Sequence, residues 1–456
     1  MLGQCMTSLA DLKRALVYRF RHTVRNNWLC KLRIEGLKSN ERVPHEQLGT
    51  IQEELLRSVL ESARKQIPAY RSLHLPKKDI RRYLQELPIV TKSDLLTNER
   101  GFYPALGVER AWTPKGRSSG TTGTPLEVFR SLDSVIWENA FIQQHWAWSG
   151  YRPGMKRATM RGDAIVPPDR AFPPFWHLNR PENQLFLSSR HLRPPYIDQI
   201  IAQILAFRPH LLQAYPSTAF ELAAYLLRRG ERLNIPFVYT GSEMLYPYQR
   251  EIIASGLNAR IMDFYGMAER VAFAAECEYG NYHVNPEYSY VEIVDETGQP
   301  TRDEGYIVGT TFHNHTMPLI RYQLSDRSRW QEGACPCGRT YPMIEPIAGK
   351  FEDVVYGSAG TPISPSIITF AFKELHCIEK SQVAQISEGR WEVRVVPRLG
   401  FGAKDRDALV KNFHALVDPN LSVTVVECLD IPRTASGKYR WVVNEWKTSS
   451  NTSGST

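Results

Sequence analysis

The run Ser118-Ser119-Gly120-Thr121-Thr122-Gly123-Thr124-Pro125 sets two glycines among five hydroxyl side chains. Glycine permits the positive-φ turns that let successive amides point the same way, and hydroxyls donate to phosphate oxygens. The run can therefore wrap one anion. It is not the Walker pattern, because no Gly-Lys-Ser/Thr follows. Its composition is also that of a flexible loop, so the neighbouring sequence has to decide.

Three further clusters lie downstream. In Ile261-Met262-Asp263-Phe264-Tyr265-Gly266-Met267-Ala268-Glu269-Arg270, an apolar run ends in Tyr-Gly and a carboxylate follows three residues later. That spacing sets Glu269 just past the carboxyl end of a strand, where α/β sheets present ligands. A carboxylate there can hold Mg²⁺ against nucleotide phosphates or simply cap a helix. In Met317-Pro318-Leu319-Ile320-Arg321-Tyr322-Gln323-Leu324-Ser325-Asp326, Asp326 closes an apolar stretch. It could accept both hydroxyls of a ribose, or satisfy its own turn. Arg433-Thr434-Ala435-Ser436-Gly437-Lys438-Tyr439-Arg440 puts a lysine behind a Ser-Gly turn, where it could reach a site as a point charge or stay a solvated loop.

Periodicity around these clusters predicts an α/β body. Residues 45–67 read as an amphipathic helix stopped by Pro68, and residues 196–230 as helix broken at Pro209. Short strands are expected at 237–240, 259–265, 290–294 and 306–312, and helices alternating with such strands indicate α/β. Residues 152–195, rich in Pro and Arg, read as an irregular excursion facing substrate. Glycines near 349–360 mark a boundary. Residues 1–349 form the expected large domain and 350–447 a small α+β lid, with strands at 391–396 and 422–428 and a helix at 405–416. The Ser/Thr/Gly/Asn tail from 448 is expected to be disordered. Trp137, Phe141, His145 and Trp146 fall on an expected helix and suit either core packing or the wall of an aryl-acid pocket.

The chain has 456 residues, net charge +8 and 42% hydrophobic residues, with mean hydropathy −0.36. No apolar run approaches the ~18 residues of a spanning helix. Charges spread through the first thirty residues deny a secretory signal, and seven cysteines are too few for a disulfide scaffold, so the cytoplasm is expected. Residues 1–40 hold eight Lys/Arg against two acids, with Leu9, Leu12, Leu16 and Phe20 at helical spacing. This basic helical extension either packs on its own domain or touches an anionic membrane surface. No finger spacing or aromatic-rich basic strand pair points to nucleic acid.

Taken in order, the four clusters resemble the adenylate-forming superfamily of acyl-CoA synthetases, in its phenylacetate–CoA ligase and capsular-polysaccharide-biosynthesis branch. Leu87-Pro88-Ile89-Val90-Thr91-Lys92, Ala214-Tyr215-Pro216-Ser217, Thr240-Gly241-Ser242-Glu243, Gly349-Lys350 and Cys335-Pro336-Cys337-Gly338-Arg339 fit the same branch, over roughly residues 65–445. The resemblance implies an adenylate-forming fold, with a large α/β body and a small mobile C-terminal domain. It also implies that ATP and a carboxylic acid give an acyl-adenylate, whose acyl group passes to CoA or another acceptor. By the same resemblance, Ser118, Ser119, Gly120, Thr121, Thr122 and Gly123 wrap the β/γ-phosphates, and Glu269 helps hold Mg²⁺. Gly241, Ser242, Glu243, Asp263, Phe264, Tyr265 and Gly266 frame the adenine. Asp326, assisted by Lys350, binds the ribose. Lys438 bridges carboxylate and α-phosphate.

Three departures from the family pattern stand out. Ala268 occupies a position where the family has Thr, Lys350 one where it has Arg, and His313 and His315 are atypical. An adenylyltransferase and a non-catalytic nucleotide-binding protein are the alternatives. A homodimer is compatible with either reading. Cys277, His283, Cys335 and Cys337 have the residue types of a closed Cys₃His zinc site, and relatives in the branch resemble the arrangement. The other reading is four unrelated buried residues. Cys5, Cys30, Cys377 and Cys428 read as packing.

Overall fold

The computed structural model describes residues 9–446 apart from 105–112, 118–125, 163–164, 168, 348–352, 354, 364, 373–374, 376 and 432–439. The hydroxyl loop Ser118–Gly123, Lys350 and Lys438 therefore lie outside the described residues, as does the 448–456 tail.

A ten-stranded sheet forms the centre of the body. Its heart is parallel: Gln184–Leu187, Arg157–Met160, Leu211–Ala214, Phe237–Gly241 and Arg260–Gly266 lie side by side in that order. Helices Ile197–Phe207, Pro216–Arg228 and Pro247–Leu257 make the crossovers. Ile200, Ile204, Leu222, Leu226, Ile253 and Leu257 bury against Leu185, Leu212 and Val238 in one core. Phe273–Glu276 and Tyr282–Val284 then extend the sheet antiparallel. Apart from residues 211–214, the expected helices and strands form where periodicity placed them.

The stretch 152–195 differs from expectation. It supplies three strands, Arg157–Met160, Trp176–Asn179 and Gln184–Leu187, and the first of these sits mid-sheet. A strand of four buried or half-buried residues, with Pro and Arg on either side, offers too few alternations for a period to show. Leu211–Ala214 hid in the same way within the interrupted helical pattern.

A second, three-stranded antiparallel sheet (Ser289–Val294, Gly305–Thr311, Tyr322–Ser328) packs beside the first. From residue 355 onward, Ile378–Ser387, Arg390–Pro397, Ser422–Glu427 and Val442–Asn444 form a four-stranded sheet. Its face is covered by helix Ala403–Leu416, with Trp391, Trp441 and Phe413 fully buried. At the other end, helix Trp28–Asn40 buries Cys30, Ile34 and Leu37 against Ala140 and Phe141, so this half of the basic segment belongs to the body's core. Among the described residues, no helix is long and apolar enough to cross a membrane.

The Leu87–Lys92 segment is anchored from below. Val90 exchanges backbone hydrogen bonds with Arg321 (3.0 Å) and Gln323 (2.9 Å), and Thr91 and Asp94 cap the next helix reciprocally. The Arg321 side chain is buried. It pairs with Glu292 through two bonds of 3.1 Å and donates to the carbonyls of Gln85 (2.7 Å) and Leu87. Removing one partner strands the other charge in the core. Arg321→Met should lower stability in denaturant unfolding by ~3–5 kcal/mol, and Arg321→Met with Glu292→Leu should regain most of it. A single variant as stable as the parent would show that the pair does not bind this segment.

Candidate functional site

In an open parallel sheet, ligands bind beyond the carboxyl ends of the strands, where the strand order reverses. Here the chain runs from Arg157–Met160 to Gln184–Leu187 on one side, then returns to Leu211–Ala214 on the other. The residues following these strand ends are therefore Arg161, Tyr215, Ser242 and Glu243, with Glu269 three residues past Gly266.

Each of these is held in place. Ser242 adopts φ +69°, which turns the chain sharply out of its strand. Its hydroxyl accepts from Arg161 at 3.0 Å, and the Arg161 guanidinium lies 5.2 Å over the Tyr215 ring. The Glu243 carboxylate accepts from the backbone N–H of Ser217 at 3.1 Å, near the start of helix Pro216–Arg228. A carboxylate is favoured at that positive helix end. Gly241 has to be glycine: a Cβ there would lie 2.6 Å from the Phe264 ring, which stacks on Phe273 at 5.7 Å.

Asp263 is buried behind this edge. It accepts from Thr240 (2.5 Å) and Tyr282 (2.8 Å), and burial pushes its carboxyl up to about 6. Glu276 accepts from the Asp263 backbone N–H (2.8 Å) and from Arg250 (2.9 Å). Asp263 thus braces the edge from within the protein, while Phe264, Tyr265 and Gly266 carry it outward.

Tyr265 reaches across to the second sheet and donates to Asp326 at 2.8 Å; burial and this carboxylate together raise its phenol well above the usual range. Burial, and next the neighbouring Glu269 carboxylate, raise the Tyr322 phenol well above its usual range. Tyr322 and Asp326 are four residues apart on one strand, which bulges between Gln323 and Arg327 against its neighbour. The Tyr265–Asp326 bond thus joins the two sheets, and Asp326 and Glu269 both act on Tyr265, which places the two carboxylates in one crevice. Asp326 sits within a strand, not in a turn satisfying its own backbone.

Cys277, His283, Cys335 and Cys337 come together in a buried cluster, with donor atoms within 4.8 Å of one another. The Cys277 and Cys335 sulfurs are 3.6 Å apart, close to the ~3.8 Å edge of a tetrahedron with zinc–sulfur bonds of ~2.3 Å. Cys337 Sγ lies 3.4 Å from His283 Nε2. His283 Nδ1 meets the Tyr341 carbonyl at 3.2 Å; a carbonyl only accepts, so Nδ1 carries the proton and Nε2 keeps its lone pair. The N–H groups of Tyr279 and Arg339, each at 3.4 Å, donate to Cys277 and Cys337. These are the features of a closed thiolate-rich metal site.

The aromatic helix Leu132–Ala147 serves the core. Phe141, His145 and Trp146 are buried; His145 Nε2 bonds the Glu276 carbonyl at 2.9 Å, and burial pulls the imidazole down to about 4. Trp137 stacks on His313 at 4.1 Å, and His313 Nε2 bonds the Glu287 carbonyl at 2.7 Å, which gives that histidine a packing role.

The CapK C-terminal domain family matches residues 355–445. A phenylacetate–coenzyme A ligase of Thermus thermophilus is 28% identical over 334 residues, which are 69% of this chain and 73% of the relative. Protein CapK of Staphylococcus aureus is 24% identical over 80% of this chain and 81% of its own. The structure of 2-hydroxyisobutyryl-CoA ligase, solved with 2-HIB-AMP and CoA, superposes with TM-score 0.57 at 19% identity, covering 91% of this chain and 93% of that one. The chain is similar in sequence and fold to the adenylate-forming phenylacetate–CoA ligase/CapK-like branch.

In this CapK-like chain the Ala268 position takes part through its backbone, since the buried Arg130 guanidinium donates to the Ala268 carbonyl. Burial and the neighbouring Arg270 pull Arg130 down to about 10. Arg130, Arg161 and Tyr322 were missed as site residues. Tyr322 had a readable signal, its place in the run that ends at Asp326. Arg130 and Arg161 are single arginines after short strands and carried none.

Proposed function

We propose that this protein activates a carboxylic acid with ATP as an acyl-adenylate and passes the acyl group to CoA or a comparable acceptor. The observation that supports this most directly is the Tyr265–Asp326 bond across the strand-end crevice, with Glu269 beside the same tyrosine. It assembles a ribose-accepting carboxylate and a phosphate-side carboxylate at the edge where such sheets bind nucleotides.

On this reading a carboxylate oxygen of the acid attacks the α-phosphorus, and the bond to pyrophosphate breaks. The acceptor then attacks the acyl carbon and AMP leaves. Asp326 takes the ribose hydroxyls, and Gly241–Glu243 with Phe264–Gly266 frame the adenine, braced from behind by Asp263. Glu269 is a buried oxygen donor of the kind Mg²⁺ prefers, and the ion when bound would offset phosphate charge. Ser118–Gly123 supply donors to the β/γ-phosphates. Lys350 supports Asp326, and Lys438, carried by the 350–447 lid, spreads the charge developing at the α-phosphate. The Cys₃His cluster holds a structural zinc that ties the segment after Glu269 to the loop after Asp326.

Acid-dependent exchange of pyrophosphate into ATP tests the first step, and its absence with every acid class would favour a nucleotide-binding protein without catalysis. Product mass separates acyl transfer from a product that keeps AMP. Lys438→Ala should lower exchange by ~10²–10³ while a supplied acyl-adenylate is still consumed; equal loss in both halves would remove the assignment.

Asp326→Ala should weaken nucleotide binding by ~1.5–3 kcal/mol in calorimetry. It also strips Tyr265 of its acceptor, so Tyr265→Phe is the control. That variant keeps the carboxylate but loosens its hold, so it should weaken nucleotide binding less than Asp326→Ala does. Unchanged affinity in Asp326→Ala would move the ribose contact elsewhere.

Purified without chelator, the protein should carry about one zinc per chain. Cys335→Ser should lose the metal and Cys377→Ser should keep it. Stripping zinc should lower thermal stability first and activity as a consequence. Much less than one zinc with all four ligands intact would refute the site.

A further inference from the structure

Helix Leu9–Arg25 docks on the body by its polar side. Tyr18 packs against His177 and Phe186, with ring centroids 5.3 and 5.4 Å apart. His22 lies 3.5 Å from Glu182, and the Arg25 carbonyl accepts from Asn139 at 2.8 Å. Leu16 and Phe20 stand two residues out of step with Tyr18 and His22, and at 3.6 residues per turn that puts them on roughly the opposite face. They are 59% and 70% exposed, and Val17 beside them is exposed as well. This arrangement inverts the usual one, in which the apolar stripe of a surface helix faces the core. The next helix adds Trp28 (70% exposed) and Leu32 (63%), one turn apart.

We infer that this face docks on an anionic lipid surface. An apolar stripe left open on a helix that is itself anchored calls for an apolar partner. The charge around it selects an anionic one: residues 1–40 carry eight basic side chains and two acidic ones, and the exposed Arg19 and Arg21 flank Phe20. A second copy of the chain fits less well. A two-fold interface would set the patch against itself, so Arg19 and Arg21 would approach their own counterparts. A single convex helix with leucine, phenylalanine and a nearby tryptophan can sink into the headgroup boundary while its arginines stay among the phosphates. The inference is independent of the reaction proposed above.

Co-sedimentation of the full chain with phosphatidylcholine vesicles, with and without phosphatidylglycerol, tests it. Binding should require phosphatidylglycerol and weaken as salt rises. Leu16→Glu with Phe20→Glu should cut binding at least ~tenfold with an unchanged melting temperature, since both side chains are exposed. Arg19→Gln and Arg21→Gln should each cost about fivefold. No binding, equal binding to neutral vesicles, or full binding by the double glutamate variant would overturn the inference. So would a concentration-dependent dimer that the same variant dissolves, because that would give the face to a second copy.

Discussion

Asp263 is a carboxylate buried among three strands, and the geometry of the crevice hangs on it. Thr240 and Tyr282 donate to its two oxygens from either side, while its own N–H is taken by Glu276, itself paired with Arg250. Removing a carboxylate from water costs several kcal/mol unless donors replace the solvent, and here two hydroxyls do so. The same contacts fix the register of Phe237–Gly241, Arg260–Gly266 and Tyr282–Val284 just below their exposed ends. Two residues beyond Asp263, Tyr265 leaves the sheet toward Asp326. On the antiparallel side, Cys277 follows Glu276 directly and His283 follows Tyr282. One buried acid network therefore orients both the strand-end edge and the thiolate cluster.

The two halves of the candidate site reach that edge by different means. The parallel strands deliver Arg161, Tyr215, Ser242 and Glu243 through turns of their own, whereas Asp326 and Tyr322 come from a separate sheet. The bond from Tyr265 to Asp326 is the direct polar tie described between them at the crevice, and Tyr322 faces Glu269 beside it. A tyrosine suits this position because its ring packs in the core and its hydroxyl meets a carboxylate at the rim. Burial and the facing carboxylates raise both phenols, so they stay protonated at neutral pH.

Much of this was legible in the sequence, for physical reasons that differ along the chain. Strand Arg260–Gly266 could be read because seven residues carry a pattern and Tyr-Gly punctuates its end. Helix His45–Gln66 could be read from its periodic apolar face and the proline that stops it. Strands Arg157–Met160 and Leu211–Ala214 could not, since four residues show no period and their burial is imposed by neighbours far away in sequence. The zinc-type cluster was readable in residue types alone; that two distant pairs would close within 4.8 Å is a property of the fold. Asp263 appeared to be a ligand-facing residue because the motif contains it, and only the positions of Thr240 and Tyr282 show where its oxygens point.

The aromatic helix after the hydroxyl loop illustrates the same limit from the other direction. Trp137, Phe141, His145 and Trp146 have the size and polarity of an acyl-pocket wall, and sequence spacing cannot tell that from core. The structure assigns three of them to burial and sets Trp137 against His313. Helix Trp28–Asn40, from the basic segment, covers this aromatic layer with Cys30, Ile34 and Leu37. The segment therefore has two faces with separate demands. One closes the core over the helix that follows the hydroxyl loop, and the other stays apolar toward solvent. A sequence under only the first demand would place charge at Leu16, Phe20, Trp28 and Leu32. Their retention as exposed apolar residues on an otherwise basic surface is what sets this end of the molecule apart from a simple structural cap.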